Sequence, residues 1–394
     1  PWNREHMWKP RFEKDDISQP AWIIPPLKNV GRGPSGLTHY PGTGDVFPSN
    51  GSFLMCDYPS GVRHVYVQPN GATFKVVEDS QFPTEGNTIT DVTWGYDGRL
   101  YLSDWGGGWR PNPKGYIKTM VNEAAHAQQA EQITEVKKLF AEGFEKLSDE
   151  KLIELLGHAD QRVRIHAQWE VASRRGTVEL LDVMSSKTSS ELQRLHALWA
   201  LGMQGRSESA GEAYPVIIEY WLSDESPNVR GQAAKLIGDF KYVNPLKRFE
   251  QTFLKLISDE NEHSIVIYHV AMAIGKTMGQ DGIGPLLDLL DRNKNDDVAI
   301  RHAASYGLSL IGDTDKIASE MKRRGSAARL GGVLALRRLD SPLLADFLDD
   351  EDPMVAAEAA RAIYDQRIMD AMPALAAISD TLPADRMSEP VMRR

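Results

Sequence analysis

The sequence predicts a β + α multidomain chain in which short antiparallel strands give way to an α-solenoid of helical repeats. Three observations predict it. Two-residue alternation broken by turn residues runs to about residue 120, the texture becomes helical from about Asn122, and one helix-pair pattern then recurs along the chain. At 394 residues the chain is long for a single core, so more than one domain is expected.

The strands come first. "GLTHY" (Gly36 to Tyr40), "GSFLMCDY" (Gly51 to Tyr58), "VRHVYVQ" (Val62 to Gln68) and "ATFKVVEDSQF" (Ala72 to Phe82) read as four strands, the last two joined by Pro69-Asn70-Gly71. In "TDVTWGYDGRLYLSDWGGGW", Thr90 to Trp109, Val92 and Trp94 alternate with Asp91 and Thr93, and Tyr96-Asp97-Gly98 supplies a turn. Leu100 and Leu102 resume the alternation, which is a β-hairpin. "GYIKTM" (Gly115 to Met120) adds a seventh strand. Four strands per unit at about 45 to 50 residues is the spacing of a β-propeller blade, so the seven strands make one blade and most of a second. Propellers close with roughly 4 to 8 blades, and the chain begins at Pro1 without Met. The remaining blades are therefore expected on a longer parent chain, before Pro1.

The helical part repeats one plan. "LLGHADQRVRIHAQWEVASRRG" (Leu155 to Gly176) ends one helix, turns at Asp160 and opens a second amphipathic helix with Arg near its start. Arg194, Arg230, Val266, Arg301, Arg329 and Ala356 fall at equivalent places, spaced by about 27 to 36 residues, as in HEAT-like helix pairs. A turn Asp such as Asp160 or Asp224 is expected to cap the following helix, and the Arg to reach a turn carboxylate of a neighbouring repeat, building a ladder of charges. Small residues such as Ala167, Ala233, Ala234, Ala303 and Ala304 let paired helices approach. The expected divisions are propeller blades over 1–120, a helical linker over 121–150, the solenoid over 151–380 and a tail over 381–394.

Composition narrows the function classes. A net charge of −10 argues against a dedicated nucleic-acid surface, and no apolar run approaches the roughly 20 residues of a membrane helix. Cys56 is the only cysteine, which excludes an internal disulfide, a Cys-x-x-Cys zinc site and a Cys-x-x-Cys-His haem attachment within these residues. "RIHAQW" and "RLHALW" place His166 and His196 at matching repeat positions, but two histidines without a carboxylate or Cys at helical spacing make a poor metal set, and repeat consensus is the better reading. "GRGPSG" (Gly31 to Gly36) has no Gly-Lys-Ser/Thr after it, so these glycines serve loops. The remaining candidates are polar and aromatic groups at strand ends: Arg32, Ser35, Asp57, His64, Asp91, Asp104, Trp105 and Trp109. Each also has a structural reading, in turns, blade corners or packing between blades.

With "GPSGLTHYPGTG", "SFLMCDY" and the Thr90 to Trp109 stretch in order before helical repeats, the sequence resembles large secreted proteins of planctomycete and verrucomicrobial bacteria. Those look like a glucose/sorbosone dehydrogenase-type, six-bladed propeller, then HEAT repeats, often then a c-type cytochrome domain. The resemblance implies a periplasmic or secreted oxidoreductase that oxidises a sugar or polyol and passes electrons to haem c outside this chain. The base taking the hydroxyl proton would be Asp91 or His64. It also implies pyrroloquinoline quinone and calcium, yet Thr88 and Thr90 stand where such propellers carry two arginines that pair with the quinone's carboxylates. The other reading is a non-catalytic module, its propeller presenting a glycan surface and its solenoid a protein-docking surface. Exposed Trp105 and Trp109 would distinguish it.

Overall fold

In the computed structural model, the described residues are 19–31, 33–45, 47, 51–84, 88–107, 114–186, 188–206, 213–240 and 247–381. They begin with seven strands: β1 (Pro34–His39), β2 (Ser52–Asp57), β3 (Val62–Asn70), β4 (Thr73–Phe82), β5 (Ile89–Trp94), β6 (Leu100–Asp104) and β7 (Tyr116–Met120). Each matches a strand of the sequence reading. They form one sheet in the order β1-β2-β3-β4 and another in the order β5-β6-β7. β1–β2, β2–β3, β5–β6 and β6–β7 pair antiparallel, with Leu54 opposite His64 and Asp91 opposite Ser103.

The alternation seen in sequence is what stacks the sheets. Leu54, Cys56 and Val62 of the first sheet share one core with Ile89, Val92, Trp94, Leu100 and Leu102 of the second, and β5 packs on β1 and β2. Cys56 lies fully inside it, where burial pushes its thiol up to about 11, so it is an inert packing group. Among the described residues the sheets number two and do not close into a six-bladed ring.

The chain divides into two compact units, one of residues 27–70 and 74–210, the other of 1–26, 71–73 and 211–394. The first unit holds the sheets together with helices α1 (Glu123–Gln128), α2 (Ala130–Glu142), α3 (Asp149–Leu155), α4 (Gln161–Arg174), α5 (Thr177–Ser185) and α6 (Glu191–Gly205). The texture change near residue 121 is thus not where this unit ends. The hairpin turn and the loop after β1 are knitted into these helices. Tyr96 stacks on Phe140 of α2 at 3.8 Å, and His126 of α1 sits 3.0 Å from the Asp97 carbonyl. The Gln129 side chain donates to the Asp45 carbonyl and accepts from Gly44 N–H. Gly42, at φ +111°, passes so close to Ala159 that an added Cβ would lie 2.4 Å from its carbonyl oxygen.

The second unit is built of α7 (Ala213–Glu219), α8 (Pro227–Asp239), α9 (Lys247–Ser258), α10 (Ser264–Thr277), α11 (Ile283–Asn293), α12 (Val298–Ile311), α13 (Thr314–Met321), α14 (Ser326–Arg338), α15 (Pro353–Asp365) and α16 (Met372–Thr381). α8, α10, α12, α14 and α15 pack successively in one layer while α9, α11 and α13 form a second, which is solenoid architecture. Ala233, Ala234, Ala303 and Ala304 are fully buried between helices, as their size requires. Two helix backbones come very close at Gly275, where a Cβ would lie 2.3 Å from the Cα of Gly307.

Candidate functional site

The strand-end residues are brought together in part. The Tyr58 hydroxyl donates to the Gly107 carbonyl at 3.2 Å, which joins the ends of β2 and β6. Asp57, buried, accepts from Gly33 N–H at 2.7 Å. Asp104, also buried, accepts from Gly106 N–H and the Thr88 hydroxyl and pairs with Lys118 at 2.8 Å. Burial alone would raise the Asp104 carboxyl, but these donors hold it below its ordinary value. Ser35 is exposed, and Trp105 is 42% exposed, as a stacking surface requires. Arg32 and Trp109 lie outside the described residues.

The two candidate bases sit on different sheets. Asp91 is exposed and accepts from Val92 N–H, while His64 is buried, stacked on Phe47 at 4.5 Å, with Nδ1 3.3 Å from Glu78. Thr90 is bonded to Ser103, and Thr88 to Asp104. Neutral hydroxyls already engaged in this way do not fit the carboxylates of pyrroloquinoline quinone. Among the described residues no three His, Cys, Asp or Glu side chains converge on a metal position.

The repeat arginines divide by partner. Arg164, Arg194, Arg230, Arg301 and Arg329 each occupy the fourth position of their helix. Arg164, Arg194, Arg230 and Arg329 each turn a guanidinium nitrogen back onto carbonyls of the preceding turn. The expected ladder forms at Arg230, which pairs with Glu262, and at Arg329, which pairs with Asp350 and Glu351. At Arg164 it does not, because the facing group is a histidine. Arg164 donates to His196 Nε2 at 3.1 Å, while His196 Nδ1 lies 2.8 Å from the Gln168 amide oxygen. His196 is therefore a satisfied structural histidine, pushed down to about 3 by burial and then by the Arg164 charge. His166 packs among Phe140, Phe144 and Trp169. Asp160 caps α4 as expected, whereas Ser226 caps α8 and Asp224 accepts from Ser226 N–H.

Arg301 has an unexpected partner. In the second unit, Gln19 to Ile24 lies across α12, α14 and α15, with a β-turn in which Ile23 N–H donates to the Pro20 carbonyl at 3.3 Å. Arg301 donates to the Ala21 carbonyl at 3.1 Å, Ala21 N–H donates to Glu358 at 2.9 Å, and Arg361 donates to the Gln19 carbonyl at 3.2 Å. Arg361 also pairs with Glu358, and both are almost fully enclosed. The Arg337 guanidinium stands over the Trp22 ring, 4.7 Å from its centroid. Beside the turn a cleft of about 170 Å³ is lined by His302, Ser305, Arg337 and Arg338. The Glu358 carboxyl group is wholly buried, which is costly without partners such as Ala21 N–H and Arg361, so this is a built site.

Residues 214–309 match the family model described as HEAT repeats. No protein with a curated description matches the chain. Among solved structures the chain is similar to YibA of Escherichia coli at 19% identity, over 63% of this chain and 91% of that one, with a TM-score of 0.38.

The Trp22 groove lay outside the candidates drawn from sequence. The recurrence of Arg at the fourth helix position marked Arg301, but its partner stands 280 residues earlier in the chain. Glu358 and Arg361, three residues apart on one helix, look like an ordinary surface pair until they are seen to be buried.

Proposed function

We propose that this chain is a repeat-type binding module whose helical part holds a protein partner. The observation that carries the reading is the HEAT-repeat solenoid itself, because stacked helix pairs expose long ridged surfaces and need no chemistry of their own. The strand-end residues support it over a sugar dehydrogenase. Asp57 and Asp104 are engaged in building turns and in the Lys118 pair, and Thr88 and Thr90 are bonded where quinone-binding arginines would stand. We read the two stacked sheets as consecutive blades of a propeller, from their four-plus-three strand order in chain sequence and from the sequence resemblance. A secreted or periplasmic setting follows from the same resemblance. Half-exposed Trp105 supports a glycan-stacking role for the sheets beside the solenoid's protein role.

The test has two arms on the full chain. With pyrroloquinoline quinone, calcium, a panel of aldoses and polyols and an artificial electron acceptor, the expected result is no dye reduction. With a photo-crosslinking residue at exposed Leu310 or Tyr364, a discrete protein adduct is expected in extract of the source cells. Sugar-dependent dye reduction that is lost in Asp91→Asn would overturn the reading and restore the oxidoreductase.

A further inference from the structure

We propose that the groove formed by Arg301, Arg337, Glu358 and Arg361 is a recognition site for a Pro-x-Trp β-turn peptide, and that Gln19 to Ile24 is its resident ligand. The inference rests on the binding-module reading and names the ligand class of one of its surfaces.

Main-chain groups do most of the reading. The carbonyls of Gln19 and Ala21 and the N–H of Ala21 are each met by a charged side chain, and the three together demand a particular backbone shape. Side-chain specificity comes from two places. Pro20 fixes the chain entering the turn, since its ring holds φ near −65° and it spends no N–H. Trp22 supplies the aromatic face that Arg337 covers. The groove is rich in cations, and Glu358 supplies a buried acceptor for a peptide N–H. It is therefore suited to a peptide whose carbonyls point inward, whereas a glycan offers no matching row of carbonyl oxygens. The resident turn keeps Trp22 41% exposed and leaves the cleft beside it open, so the ring is held from one side only. A ligand in trans with the same turn would displace it by repeating its contacts.

The test uses the full chain and a fluorescein-labelled synthetic peptide, Gln-Pro-Ala-Trp-Ile-Ile-Pro-Pro, which copies residues 19–26. The wild-type chain is expected to bind it weakly, because the site is filled in cis. The double variant Ala21→Pro with Trp22→Ala removes the N–H that Glu358 accepts and the ring that Arg337 covers, and is expected to bind at least about tenfold tighter. Adding Arg301→Gln to that variant is expected to reverse the gain. A peptide with Ala in place of Trp is expected to lose binding to the same protein, a comparison that does not depend on how any protein variant folds. Equal affinity for wild type and double variant, or full binding by the Ala peptide, would overturn the proposal. Failure here would leave the crosslinking result standing, and dye reduction would remove the module reading without touching peptide binding.

Discussion

Asp160 does three things with one carboxylate. Fully buried, it caps α4 through Arg162 N–H, pairs with the Arg162 guanidinium at 2.6 Å and accepts from the Thr43 hydroxyl, while Arg162 reaches on to the carbonyls of Trp94 and Gly95. Asp160→Ala is expected to cost about 3–5 kcal/mol, because it strands a partly buried guanidinium as well as removing a cap. Urea denaturation followed by circular dichroism measures it, and a loss under about 1 kcal/mol would contradict this role. Burial works to raise the Asp160 carboxyl, but Arg162 and Thr43 hold it below its ordinary value, so its contribution is complete above the unfolded value and falls as pH drops. His196 acts in the same direction. Held at about 3 against 6.5 in the open chain, it stays neutral in the folded state while the unfolded chain takes up a proton below pH 6.5. Stability is expected to fall through that window by up to about 1.4 kcal/mol per pH unit. His196→Gln should flatten the dependence between pH 6.5 and 4, and urea midpoints across that range read it.

At the scale of elements, the periodicities were legible because each is a local property. All seven strands and the alternation of helices follow from side-chain pattern and turn residues. The arginine ladder was legible where the next turn presents a carboxylate, as Glu262 and Asp350 do, and not at Arg164, which faces His196, because periodicity shows an arginine's place but not what faces it. The hairpin turn was legible as a turn, but not that Tyr96 and Gly98 pack against Phe140 and Ile133 of α2. That contact is tertiary and leaves no mark on the two-residue period. Helix spacing makes its own prediction. Gly275→Ala puts a methyl into the contact with Gly307, so α10 and α12 must part, at a cost of about 1–3 kcal/mol in thermal or urea unfolding. An unchanged midpoint would mean that the two helices are not held at this distance.

Across the whole molecule, the sequence pointed to strand ends as the place of function, and the structure directs attention to the solenoid as well. Strand-end acids are visible in sequence because turn chemistry and catalytic chemistry use the same residue types. The groove was not visible, because it joins Gln19 to Ile24 with residues 280 and more positions away, and only folding brings them together. Its parts are also individually commonplace, an Arg on a helix and a Pro before a Trp. On the proposed reading this segment is a bound ligand rather than a passing loop. Hydrogen exchange of the full chain, read by mass spectrometry on a fragment covering Gln19 to Ile24, tests that most directly. The predicted result is at least about tenfold slower exchange at Ala21 than in the free peptide, with protection lost when excess Gln-Pro-Ala-Trp-Ile-Ile-Pro-Pro is added. Exchange at the free-peptide rate without the competitor, or protection that excess competitor does not remove, would contradict it.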